Sequence, residues 1–543
     1  LGQFLVAING FIKSRNEASI TDWLVVEPPW NPHYLGMIQE LRSTCPSGNE
    51  QALEQKCTQT LTAAVEGADG SPWTAFVKFM MQYLAYLRDV SEGVEHYLET
   101  YELLSELQQR ANSALGHATL GHLVLGTVVK SARTVCKLAI GLDRRPDLIA
   151  HLRRAATGGG EEGGLRETLP ERAANILRQA FVTCLNDRNT SVTAEGRPEG
   201  KRQGIYVIAN LCLRILFQCR KTRNATQIFE NIYNLSPPLA LYPKSQRVTY
   251  LYYLGRFLFQ NSHFYRAQAV LQFAYEEALA SQQCVRQRRH ILVYLVTCNI
   301  ILGRFPSQAL LDRPESAGFR ERFLPLCLAV KRGDLAAFRR HLDLNGEHAD
   351  WFLHFRILLQ LRNRCEALVW RSLIRRAFIL VGYRPTDPMS RSAPTLGIDH
   401  LIAAFSWLER LAVSQQQTNG EYTDPDFASI DYGDTSSSSS IEVTAIESKL
   451  SSLIDQGMLN GFISHRLMKF AIQGAKAKGG DALGAGFPNV WEVLRAKAER
   501  GGMGEDVPGW KKSERVNHAG AAFGGQRFGP GMVVNLSGLR PIG

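Results

Sequence analysis

From Gly204 onward the sequence is built of paired apolar, helix-patterned stretches that recur every ~35 to 40 residues, the signature of a stack of helix pairs. IYVIANLCLRILFQCR is followed by the shorter ATQIFENIYNL, stopped by Pro237 and Pro238. SQRVTYLYYLGRFLFQNSHFYRAQAVLQFAYEEAL reads as helix, tight Asn-Ser-His turn, helix. RRHILVYLVTCNIILG with FPSQALL, RFLPLCLAVKRG with DLAAFRRHL, and ADWFLHFRILLQL with CEALVWRSLIRRAFIL complete the series. One pair alone cannot bury its apolar face, so the pairs must stack, and residues 204–380 are predicted to form an all-α, TPR-like solenoid. Gly255 and Ala267 are small where the two antiparallel helices of the second pair cross.

A different pattern closes this region. In IEVTAIESKLSSLIDQGMLNGFISHRLMKFAI, residues 441–472, Ile446, Leu450, Leu453 and Ile454 share one helical face, and Gly457 ends the helix. Two short runs rich in strand formers follow, Leu459–Ser464 and Leu467–Ile472, with His465 and Arg466 at the turn between them. A helix followed by a hairpin, with lead-in helices over 366–380 and 396–411, is the layout of a winged helix, expected here over 381–475. Such a module either binds nucleic acid or packs against its like in a partner.

The remaining chain is read as a helical region over 1–185, in which Ser71 caps, and Pro72 starts, the helix of SPWTAFVKFMMQYLAYLRDV. Residues 155–170 read as a glycine-rich loop, 412–440 as a disordered, serine-rich insertion, and 476–543 as a low-complexity basic tail without a fold of its own. The formal charge is +11, and His465 to the end holds twelve Lys or Arg against six Asp or Glu. This mild bias suits a nucleic acid or an acidic protein and chooses neither. The ten cysteines are scattered through apolar helical patterns without a CxxC, so they are expected to be reduced core thiols of an intracellular protein. The longest apolar run, Ile291–Leu302, is too short to span a bilayer, and no membrane insertion or signal peptide is expected.

Catalytic patterns are missing from the sequence. It has no GxSxG, no GxxxxGK[ST] and no HExxH, and its glycine runs neither follow a strand nor open a helix. No enzyme and no cofactor is expected. Cys365 beside Arg364 reads as a core or boundary thiol.

Binding chemistry is better represented. Arg371, Arg375 and Arg376, with Arg362 and Arg364, form a candidate basic ridge on the last solenoid helices. Lys449, His465, Arg466 and Lys469 are the cations of the wing region. These seven, Arg371, Arg375, Arg376, Lys449, His465, Arg466 and Lys469, are the candidate contacts to RNA or DNA. Acidic residues such as Glu447 and Asp455 on the preceding helix argue for backbone contact without sequence reading. Arg286, Arg288 and Arg289 cluster at a helix start, where their charge opposes the dipole, so they are candidates to meet an anionic partner. Tyr253 and Phe257 belong to an aromatic surplus larger than one helix pair buries, and Phe462 and Ile463 are the hairpin's apolar residues. All four are candidate partner contacts.

The motif Leu453, Ile454, Gly457, Leu459, Gly461, Phe462, Ile463, Ser464, His465, together with residues 247–279, 288–306 and the later FPNVW at 487–491, resembles the PCI-domain family. The similar branch contains the mRNA-export subunit Thp1, its animal relative and the fungal protein called COP9 signalosome subunit 12. The resemblance implies a non-enzymatic scaffold of the transcription and mRNA export complex (TREX-2), in the nucleus at the nuclear pore and also in the cytoplasm. There it would pair with a Sac3-type (GANP-type) PCI scaffold and a small acidic Sem1-type (DSS1-type) protein, and bind nucleic acid non-specifically. The alternative it implies is a subunit of a COP9 signalosome-related or splicing-linked PCI complex acting through protein contacts alone.

Overall fold

A computed structural model describes residues 1–46, 50–66, 71–90, 96–149, 168–188, 192–193, 196–385, 392–414 and 438–500. The described chain is almost entirely helical, with one small sheet near its end. The serine-rich insertion, the 155–170 loop and the tail after 500 fall largely or wholly outside the described residues.

The first part packs as helices Gly2–Lys13, Glu17–Trp23, Pro32–Thr44, Glu50–Thr60, Thr74–Asp89, Tyr97–Leu115 and Leu125–Asp143, with Leu169–Leu185 leading into the solenoid. The Thr74–Asp89 helix starts later than its sequence suggests, and Trp73, not Ser71, stands at the cap. Trp73 is fully buried and its indole N–H donates to the Ala114 carbonyl at 2.9 Å, which draws the chain inward before the helix can begin. Leu169–Leu185 opens on a capping box, the Thr168 N–H and hydroxyl both donating to the Glu171 carboxylate.

The solenoid follows the sequence period: Ile205–Gln218 with Ala225–Leu235, Lys244–Gln260 with Phe264–Glu277, Val285–Ile301 with Gln308–Leu311, and Phe319–Arg332 with Leu335–His341. Gly255 sits where the Leu271 side chain of the facing helix lies 2.5 Å from the position a Cβ would take, so the close crossing favours glycine. The last pair departs from the expected division. Ala349–His354 ends at Phe355, Arg356 adopts a left-handed φ of +55°, and the break between the two helices falls there, so that the second, Leu358–Val381, runs for 24 residues and takes in the end of the first expected stretch. Its buried Leu358, Leu361, Cys365, Leu368 and Val369 keep one apolar stripe running through both stretches.

That long helix delivers the chain to the winged-helix end. Here strands β1 (Thr395–Gly397), β2 (Gly461–Ser464) and β3 (Lys469–Ile472) form an antiparallel sheet in the order β1-β3-β2. Leu396, expected at the start of the helix 396–411, pairs instead with Phe470, and the helix begins two residues later as Ile398–Ser414. The helix Ser438–Asp455 precedes the hairpin and buries Ile446, Leu450 and Leu453.

Residues 476–500 correct the expectation of an unfolded tail. They form a 3-10 turn, a short helix Ala482–Gly486 and a helix Val490–Arg500. Phe487 and Val490 are buried, and the Trp491 ring lies 5.8 Å from that of Tyr265 on the solenoid. The Arg304 guanidinium lies over the same indole, 4.6 Å from its centre. Phe487, Val490 and Trp491 are apolar anchors, set among glycines and charges, that seat this segment on the solenoid.

Candidate functional site

The hairpin is built on a face difference. Phe470 and Ile472 of β3 point into the core, and Gly461 of β2 leaves room for the Phe470 ring and the Ala471 carbonyl, which a Cβ would overlap. Across the ladder, Phe462 pairs with Ala471 and Ile463 with Phe470. Phe462 is 54% exposed, and Leu467 in the turn is 67% exposed, whereas Ile463 is half-buried against the core. β2 lies at the border of the sheet, so among the described residues its outer edge has no strand beside it.

The wing cations are not equivalent. His465 Nδ1 meets the Glu447 carboxylate at 2.8 Å, so the hairpin tip is tied back to its own helix. Lys449 is half-buried, with its ammonium 5.6 Å above the Trp370 ring and 5.4 Å from that of Phe405. It holds the helices of this end together instead of facing outward as expected. Arg466 and Lys469 are exposed.

The ridge also divides. Arg371 is half-buried and crosses from the solenoid to the C-terminal segment, donating to the carbonyls of Met458 at 3.2 Å, Phe487 at 3.1 Å and Pro488 at 2.6 Å. Burial, with the neighbouring Arg375, pushes its guanidinium down to about 10. It is a structural clamp, which corrects its expected place on an open ridge. Arg375 and Arg376 remain exposed and line a cleft of about 670 Å³ with Arg371, Lys331 and Arg332. Lys331 and Arg332 were missed in sequence, since they end a helix one repeat earlier and no spacing rule places them beside Arg375.

Most of the expected partner contacts on the solenoid are used inside it. Arg288 is 8% exposed; it pairs with Glu315 at 3.0 Å and donates to the Ala278 carbonyl at 2.7 Å. Arg289 donates to the carbonyls of Glu315 and Ala317 and lies over the Phe319 ring. The turn carrying Glu315 folds over the helix start and supplies the opposing charge, so of this cluster only Arg286 is exposed. Tyr253 packs against Phe217 at 5.2 Å and Phe257 against Phe229 at 4.9 Å. The aromatic surplus thus joins neighbouring helix pairs.

Cys365 is fully buried and burial pushes its thiol far up, away from reactivity, while Arg364 points toward the Phe264 ring. All ten cysteines are free thiols. Among the described residues no group of His, Cys, Asp or Glu could hold a metal ion, and no helix is long and apolar enough to cross a membrane.

No family model matches the chain. It is similar to a PCI domain-containing protein of Schizosaccharomyces pombe, 25% identical over 86% of this chain and 91% of that one. It is also similar to a CSN12 homolog of Neurospora crassa, 33% identical over 39% of this chain, and spans only 45% of that protein's length. A PCI domain-containing protein 2 of Xenopus laevis is 24% identical over 56% of this chain and 62% of its own.

Proposed function

We infer that this chain, a PCI-domain protein, is a non-catalytic scaffold subunit that joins other PCI-type subunits through its winged-helix end. The observation that carries the reading is the outer edge of β2, which offers backbone hydrogen-bonding groups next to the exposed Phe462 and Leu467. Such an edge recruits a strand or an apolar face from a partner unless the fold blocks it. Of the residues proposed from sequence as partner contacts, Phe462 is the one this reading keeps at the centre.

The relatives favour a signalosome-type assembly over the export complex. CSN12 homologs match at 33% and 32% identity, and PCI domain-containing protein 2 sequences at 24% and 27%. Pairing with a Sac3-type scaffold and a Sem1-type acidic protein, in the nucleus at the pore, is the finer alternative that the wing motif suggests.

A tagged full-length chain recovered from nuclease-treated nuclear extract distinguishes the two. Signalosome-type PCI subunits in constant ratio, lost when Phe462→Asp and Leu467→Asp are combined, are the expected result. Recovery of a Sac3-type scaffold with a Sem1-type protein would establish the export assembly instead. Full retention of partners by the double variant would remove the β2 edge from the interface.

Non-specific contact with RNA or DNA is a second reading, supported by Arg466 and Lys469, which stand exposed at the hairpin. Its signature is binding that falls steeply with salt. A shallow salt slope, or one unchanged by Arg466→Gln with Lys469→Gln, counts against it.

A further inference from the structure

We propose that the cleft between the last solenoid helices and the C-terminal segment is a binding site for a compact polyphosphate. Five cations converge there, Lys331, Arg332, Arg371, Arg375 and Arg376, and neither Asp nor Glu is among the lining residues. Like charges one helical turn apart, as Arg371 and Arg375 are, disfavour each other, and the cluster gathers further charge from a second helix. Lys331 and Arg332 lie in the last turn of Phe319–Arg332, where they complement the helix dipole. That explanation does not extend to Arg375 and Arg376, which sit inside Leu358–Val381 and away from its ends.

The arrangement is preset. Gly333, at a φ of +70°, brings the end of one helix against the Leu373 backbone of the other, closer than any side chain would allow. Arg371 is fixed by its three carbonyls, and Arg376 Nη1 reaches the Arg332 carbonyl at 3.5 Å. Arg371 and Arg376 are therefore held at the cleft before any ligand arrives, which lowers part of the ordering cost of binding.

Shape and charge density select the ligand class. The volume, about 670 Å³, lies in the ordinary range for small-molecule sites. Phe487, Asn489 and Val490 of the C-terminal segment line the cleft, with Val490 packed on Gly303. Guanidinium forks take phosphate oxygens two at a time, and phosphates linked to each other match several forks around one centre. Carboxylates spaced along a peptide deliver less charge per volume. Phe305 and Ile379 on the lining add an apolar side that a nucleoside base can cover. The inference does not depend on the scaffold reading.

Calorimetric titration of the full-length chain at physiological salt tests it, with inorganic tripolyphosphate, ATP and a single-stranded oligonucleotide as separate probes. One saturable site for tripolyphosphate is expected, weakened about tenfold or more when Arg375→Gln and Arg376→Gln are combined. The variant's melting temperature, measured alongside, shows that both exposed changes leave the fold intact, and Arg286→Gln serves as a distant control expected to bind normally. Tighter binding of ATP than of tripolyphosphate supports the site and assigns the apolar side to a base. Three outcomes overturn the proposal: no saturable tripolyphosphate binding, equal loss in the Arg286 control, or oligonucleotide binding that the Arg375 and Arg376 variant loses and that tripolyphosphate does not displace.

Discussion

The Arg371 guanidinium donates to the Pro488 carbonyl at 2.6 Å across 117 residues of sequence, and this contact fastens the C-terminal segment to the last solenoid helix. Met458 and Phe487 supply two further carbonyls to the same side chain. Substituting Arg371→Met would leave these acceptors without their donor in a part-buried junction, at a cost of about 2–4 kcal/mol. Arg371→Lys keeps the charge but loses the planar fork, so it should recover only part of that loss. Urea melts and the rate of proteolysis within 476–500 report the effect; a variant as stable and as resistant as the parent would show that the clamp is dispensable.

Gly255 gives a second prediction because helix propensity and packing disagree there. Alanine in place of glycine normally favours a helix interior by about 1 kcal/mol. At this crossing the added Cβ would meet the Leu271 side chain at 2.5 Å. Gly255→Ala is therefore expected to bring no gain and Gly255→Val to cost about 1–3 kcal/mol. The diagnostic is a double-mutant cycle with Leu271→Ala: a cost of Gly255→Val that shrinks in the Leu271→Ala background confirms the steric origin, and simple additivity refutes it.

How much of this could be read in the sequence follows from how local each signal is. The helix pairs were legible because apolar residues recur within a window of one helix, as Ile446, Leu450 and Leu453 do. The hairpin was legible for the same reason. β1 was not, because three residues carry no period and Leu396 becomes a strand residue only through Phe470, far along the chain. The helix Val490–Arg500 was hidden by composition: its anchors stand among glycines and charges, and what orders it is Tyr265, Arg304 and Arg371 on other elements. Candidate sites fared according to the same rule. Charge at a helix start looked free at Arg288 because its partner, Glu315, lies 27 residues on, and the cationic cleft needed two helices side by side before it could be seen.

Thiol chemistry supplies a third prediction. Eight of the ten cysteines are buried, and only Cys219 and Cys284 are half-exposed. Burial, with Asp143 nearby, pushes the Cys219 thiol up to about 12, which keeps it protonated and slow to react. Alkylation of the native protein at neutral pH should therefore label Cys284 first, and mass mapping at short times identifies the site. Early labelling of Cys365 or Cys212 would mean that the solenoid opens far more readily than its packing indicates.

The buried pair of Arg288 and Glu315 makes stability depend on pH in a defined direction. Burial pushes the Glu315 carboxyl up, but the Tyr275 hydroxyl at 2.7 Å, a backbone N–H and the Arg288 guanidinium outweigh it and hold the group below its ordinary value. A carboxylate whose folded value lies below its unfolded one adds stability above the unfolded value, ~4.3 for glutamate, and loses it as pH falls through the folded value. Glu315 is 5% exposed, so Glu315→Gln leaves Arg288 as a buried charge without its counterion. The expected loss at neutral pH is about 3 kcal/mol. As the pH falls through the lowered folded value, the parent's own carboxylate takes up its proton, and the two proteins should converge. Paired urea melts at neutral and acid pH measure the gap; a difference that stays constant across that range would place the stabilisation in shape and hydrogen bonding, with no share for the charge.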